Sequence, residues 1–143
     1  MHRWRGFENI FGDIWTNLEG IVLNRKAAKA ASEVYTTSDP TKFDDTKENK
    51  TIVGIEIAQD GWIKEFDLGT NAEIIPASVG ASPTTHKCDY HYCNVDYTGD
   101  RTLLVGGLAD HGGAAGLGYF HSSYSVGTSD TDVGFRTLIR LNK

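Results

Sequence analysis

The sequence predicts an α+β domain in which short helices accompany a small, loop-rich antiparallel sheet, and three observations predict it. Apolar residues recur at i, i+3, i+4 and i+7 from Phe7 to Leu18, the spacing of a short amphipathic helix. The run TIVGIEI, which begins at Thr51, alternates with period two and is followed by Asp60-Gly61, a pair that tolerates positive φ and signals a hairpin. Ten of the sixteen glycines lie from Gly80 onward without a fixed repeat, which implies tight turns between short strands.

Taken in order, the first helix carries Trp4, Phe7, Ile10, Phe11, Ile14, Trp15 and Leu18, whose rings read as core. Gly20 then lets the chain turn into Ile21-Val22-Leu23, short enough for a buried strand. Residues 25–34, RKAAKAASEV, are good helix formers without amphipathic spacing and read as a surface helix. The polar stretch that follows contains Pro40 and reads as a long exposed loop. Thr51, Val53, Ile55 and Ile57 share one face of the next strand, and Trp62 to Phe66 form its return partner. Ile74-Ile75-Pro76 precedes a Ser and Gly turn. Further strands are expected over residues 86–95, 101–105, 117–121 and 134–141.

At 143 residues the chain fits a single domain, residues 1–143, long enough to bury a core. A net charge of −5 and a pI near 5.4 give no field that attracts phosphate backbones, which argues against nucleic acid as a partner. No apolar run approaches the roughly 20 residues that span a bilayer, so no membrane insertion is expected. The charged, aromatic start at Met1 is unlike a signal peptide. Two cysteines, Cys88 and Cys93, are too few to staple the fold, and core packing must carry it.

Several constellations suggest chemistry. His86, Cys88, His91 and Cys93 are zinc-type donors, but on a strand the first two face away from the last two. Asp110-His111 with Ser122 suggests a hydrolase, yet no G-x-S-x-G elbow is present. The acidic pairs Asp44-Asp45 and Asp130 with Asp132 sit in polar runs that read as solvated loops. No catalytic residue, metal or cofactor is therefore expected. Residues 111–128 instead alternate rigid rings with small hydrogen-bonding groups, as adaptable binding surfaces do. The expected ligand-binding residues are His111, Tyr119, His121, Ser122 and Tyr124, with Tyr90 and Tyr92 as further candidates.

Four motifs add a resemblance. Asn9, Gly12 and Trp15 form N-x-x-G-x-x-W, and Cys88 to Tyr92 form an aromatic run. Arg101 with Gly106-Gly107 forms R-x-x-x-x-G-G, and the last motif is Gly134-Phe135-Arg136. Their order resembles the formylglycine-generating-enzyme-like branch of the C-type lectin fold, which many bacteriophage tail proteins use. The resemblance implies a C-type lectin-like fold with structural roles for Trp15, Arg101, Gly106, Gly107, Gly134, Phe135 and Arg136. In that family the first motif lies well inside the domain, whereas here it falls within fifteen residues of Met1. The expectation is a C-terminal part of a larger domain, or a fold completed by neighbouring subunits. The cysteine pair precedes the double Gly instead of following it, and no thiol lies among Leu108, Ala109, Asp110 and His111, so oxidase activity is not implied.

The resemblance implies a non-enzymatic virion protein of a phage tail or fibre that binds a bacterial surface glycan or protein. Its partners would be its own copies or other virion proteins. Two alternatives stand beside it: a capsid or tail decoration protein with a purely structural role, and a hydrolase or metal-dependent enzyme.

Overall fold

The computed structural model describes residues 3–4, 7–8, 13–85, 89–116 and 118–134. Among these, helix is confined to two 3-10 turns, Pro40–Lys42 and Ala109–Ala114. The α+β, C-type lectin-like expectation is therefore corrected: the chain is mostly β, built on one large, nearly closed, barrel-like mixed sheet.

Strands β1 (Arg3–Trp4) and β2 (Phe7–Glu8) pair only with each other. The large sheet contains β3 (Trp15–Arg25), β4 (Ser32–Thr36), β5 (Thr51–Glu56), β6 (Gly61–Leu68) and β7 (Ile74–Val79). It also contains β8 (Tyr90–Tyr92), β9 (Gly99–Val105), β10 (Phe120–His121) and β11 (Val133–Gly134). The strand order is β5-β4-β3-β9-β10-β8-β6-β7, with β11 added parallel to the start of β3. All neighbours along that path are antiparallel except β10 and β8. The two ends of the path come together. The Thr70 N–H donates to the Val53 carbonyl at 3.0 Å, and the Thr36 hydroxyl donates to Glu73 Oε1 at 3.2 Å.

Three local expectations fail for identifiable reasons. The helix expected up to Leu18 gives way to β2 and β3, because β3 finds a ladder partner on each side, β4 and β9. A short apolar run does not distinguish the two structures by periodicity alone. Residues 25–34 leave the ladder at Arg25, turn through Lys29 at φ 61° and re-enter it at Ser32. With no apolar stripe to bury as a helix, this segment gains more by placing Val34 in the core.

Asp60-Gly61 does not close a hairpin, since β5 and β6 lie in different parts of the sheet. Asp60 Oδ1 instead accepts the Cys93 N–H at 2.7 Å, and Gly61 pairs with His91. The strand expected at Thr51 exists, but a bulge opposite Val34 and Tyr35 breaks its alternation. Val53 and Glu56 point inward, while Ile52 and Ile55 are exposed.

Two apolar cores use opposite faces of the same strands. Leu23, Val34, Val53, Ile63, Ile75, Leu103 and Phe120, contributed from around the barrel, fill its interior. Trp15, Leu104 and Tyr119 form the second core, with Tyr90, Tyr92, Leu108, Tyr124 and Val133 packed against it. The period-two rule separates Leu103 from Leu104 and Phe120 from Tyr119 and His121.

A candidate binding cleft on the outer face

The outer core ends in an open cleft of about 450 Å³ lined by Trp15, Tyr92, Asn94, Tyr97, Leu108, His111, Tyr119, His121, Ser123 and Tyr124. Four of the five expected ligand-binding residues therefore converge on one site, and Tyr92 joins them. Tyr90 packs behind it, edge-on to Trp62 and Tyr119. Ser122 is the exception. Strand parity turns it into the barrel, where it is buried and its hydroxyl donates to Glu56 Oε1.

The floor of the cleft is a stack of rings. His121 lies between Trp15, at 4.5 Å and 26°, and Tyr92, at 5.2 Å and 23°. Tyr124 meets His121 edge-on at 5.2 Å, and Tyr119 meets Trp15 edge-on at 4.7 Å. Offset and edge-on pairs of this kind each contribute about 0.5–1.5 kcal/mol beyond the area they bury. Burial holds the His121 imidazole down at about 4, with His111 acting in the same direction, so the ring is neutral at physiological pH. His121 Nε2 lies 3.1 Å from Ser123 Oγ, while buried Nδ1 has no partner among the described residues. Placing the proton on Nε2, donated to Ser123, leaves a bare lone pair on Nδ1 and no orphan N–H.

His111 is fixed differently. Its Nδ1 accepts the Leu108 N–H at 3.2 Å, so the neutral ring carries its proton on Nε2. This bond anchors the 3-10 turn Ala109–Ala114 over the edge of Trp15. Burial pushes the Tyr119 hydroxyl up to about 12 and also raises those of Tyr92 and Tyr124, keeping all three protonated. The Tyr119 and Tyr124 hydroxyls have no hydrogen-bond partner among the described residues. Among the described residues, no Lys, Arg, Asp or Glu lines the cleft.

The structural-motif residues divide in the same way. Trp15 is the floor itself. Arg101 is buried below it, donating to the Ser123 carbonyl at 3.0 Å and the Thr98 carbonyl at 2.7 Å, with its guanidinium 4.8 Å from the centre of the Tyr97 ring. Gly106 and Gly107 take positive φ where the chain leaves β9, and the Gly116 N–H returns to the Gly106 carbonyl. Gly134 pairs with Thr16 beside the floor. Phe135 and Arg136 lie outside the described residues, as do His86 and Cys88.

Sequence reasoning missed Asn94 and Tyr97, which enter the cleft from the turn after β8, and Asn94 takes φ 45° there. It also missed a buried polar cluster. Glu56 accepts from His91 Nε2 at 2.9 Å and from Ser122, and pairs with Arg25 at 3.5 Å. Arg25 further donates to Ser32 Oγ and to the Cys93 and Asn94 carbonyls. His91 Nδ1 lies 2.7 Å from the Gln59 carbonyl, which only accepts, so Nδ1 carries a proton and a second proton lies between Nε2 and Glu56. A serine, a histidine and a glutamate thus meet, but the serine hydroxyl points at the carboxylate and not at the imidazole.

Comparison of the chain with protein-family models, with curated proteins and with solved structures finds no match. The reading of the cleft rests on its own chemistry.

Proposed function

We propose that the chain is a non-enzymatic binding module whose outer cleft holds a neutral saccharide unit. The proposal keeps the setting drawn from the sequence motifs, a phage tail or fibre protein that attaches to a bacterial surface glycan. The observation that carries the reading is a cleft of about 450 Å³ walled by rings, with no charged lining residue among the described residues and a neutral imidazole on its floor. Aromatic faces stack on the apolar face of a pyranose, and tyrosine hydroxyls and the Asn94 amide serve its hydroxyls. An anionic sugar or a phosphate finds no cation there among the described residues. Shallow sites of this kind are weak singly and gain strength when repeated over symmetric copies.

The test is titration of the protein with neutral hexoses, N-acetylhexosamines and their oligomers, read by chemical-shift changes of the Tyr92, Tyr124 and His111 rings. We expect saturable shifts, with Tyr92→Ala and Tyr124→Ala each weakening binding about tenfold, equivalent to about 1.4 kcal/mol. Absence of any ring shift at saturating sugar, or binding that survives both substitutions unchanged, overturns the reading.

A second reading, the purely structural decoration protein, draws on a different observation. Ile52, Ile55, Leu68 and Ile74 are 46%, 52%, 72% and 63% exposed on β5, β6 and β7. Such residues suit packing against neighbours in an assembly. Light scattering decides it: oligomers that dissociate in an Ile52→Ser, Ile55→Ser double variant favour it, and a monomeric parent chain counts against it.

A further inference from the structure

The described residues do not fill the barrel interior. A cavity of about 400 Å³, within the range of small-molecule sites, opens among Leu18, Val34, Phe66, Ile75, Leu103 and Phe120. It is separate from the outer cleft: the two share no lining residue, and on β10 Phe120 faces the cavity while His121 faces the cleft. Among the described residues its lining is apolar except for Thr36, Glu73 and Asp89, and includes no Lys, Arg or His.

The two carboxylates differ. Glu73 is held by the Asn71 N–H at 2.9 Å, the Asn71 side chain at 3.0 Å and the Thr36 hydroxyl at 3.2 Å. Burial opposes its ionisation, but these hydrogen bonds and its own N–H outweigh that and hold its carboxyl below the usual range. Asp89 directly precedes β8; its carbonyl accepts the Ile63 N–H at 2.9 Å, but its carboxylate has no hydrogen-bond or ion-pair partner among the described residues. Glycines make room for it: a Cβ at Gly118 would lie 2.5 Å from Asp89 Oδ2, and one at Gly116 would lie 2.8 Å from Oδ1. A half-buried carboxylate without a partner on the wall of an apolar cavity favours a cation over water alone.

We infer that the barrel interior is a binding site for a small apolar amine, with its hydrocarbon body among Leu18, Val34, Leu103 and Phe120 and its ammonium group at Asp89. The apolar walls supply non-directional burial, and Asp89 supplies the choice of charge. A neutral analogue of the same shape fills the same space without the ion pair, and an anionic analogue meets two negative groups.

The experiment uses three probes of one shape: cyclohexylamine, cyclohexanol and cyclohexanecarboxylate. Each is titrated into the full chain while the methyl resonances of Leu18, Val34, Ile75, Leu103 and Val105 are followed. We expect saturable methyl shifts with the amine, at least about tenfold weaker binding of the alcohol and none of the carboxylate. Asp89→Asn should bring the amine down to the affinity of the alcohol while leaving the alcohol unchanged. Equal affinity for amine and alcohol in the parent chain overturns the inference, and this comparison needs no variant. So does absence of shifts with every probe, or an amine preference that persists in Asp89→Asn.

Discussion

His121 shows how a single residue couples the cleft to stability. Its imidazole is neutral because stacking between Trp15 and Tyr92 removes it from water, and the folded state binds a proton only near pH 4. The unfolded chain takes up that proton near the ordinary value of 6.5. Between these values the unfolded state holds more protons, so the stabilisation is full above about pH 6.5 and is lost as pH falls toward 4. The full effect is on the order of 3 kcal/mol, and urea titrations across this window should show it shrinking in His121→Asn. Cys93 gives a second check. Its free thiol is buried and pushed up to about 12 by desolvation, with Glu56 adding to it. Iodoacetamide at neutral pH should leave it unmodified until the chain is unfolded, as mass spectrometry of its peptide would show. At this scale the cleft was partly legible. Alternation of rings with serines pointed to Tyr119, His121 and Tyr124, but only strand parity, known once β10 is placed, turns Ser122 inward. The contacts that bury Arg25 and Glu56 together are not revealed by a single sequence.

Among the elements, the segment linking β9 to β10 carries the closest packing. Gly107 has φ 80°, and a Cβ there would lie 2.9 Å from the Ala115 Cα, a backbone atom that cannot swing aside. Gly107→Ala should destabilise the chain by about 1–3 kcal/mol, measured by denaturant unfolding, and should loosen the Ala109–Ala114 turn over Trp15. Gly112→Ala is the control of choice, because it shares a positive φ but has no atom within 4 Å of the added carbon. The loss at Gly107 should exceed that at Gly112. Strand existence was legible where apolar and β-branched residues run together, as in Thr51 to Ile55 of β5 and Thr102 to Val105 of β9. Strand partnership was not: Asp60-Gly61 has hairpin chemistry, yet Asp60 is engaged by Cys93 and Gly61 by His91, contacts about thirty residues away in sequence. The spacing that ends at Leu18 was misleading where it is described, because β3 is used on both faces: Trp15 lies in the outer core and Leu18 against the inner one.

For the molecule as a whole, the Glu56 cluster ties together what the sheet order separates. Arg25 on β3, Ser32 on β4, Glu56 on β5, His91 on β8 and Ser122 after β10 meet inside the barrel. Glu56→Ala would leave the buried Arg25 guanidinium without its carboxylate and the His91 Nε2 without its partner, and should cost about 3–5 kcal/mol in denaturant unfolding. Glu56→Gln keeps the volume and an acceptor and should cost less. Equal losses would mean that the cluster serves packing and not charge. The meeting of β5 with the turn before β7 has a consequence of another kind. A sheet whose outer ladders stay open offers a template on which foreign chains add and fibrils grow. Here Val53 already receives Thr70, and Thr36 already serves Glu73. The chain thus blunts its own capacity to seed cross-β aggregation, a property of value to any protein displayed in many copies at close quarters.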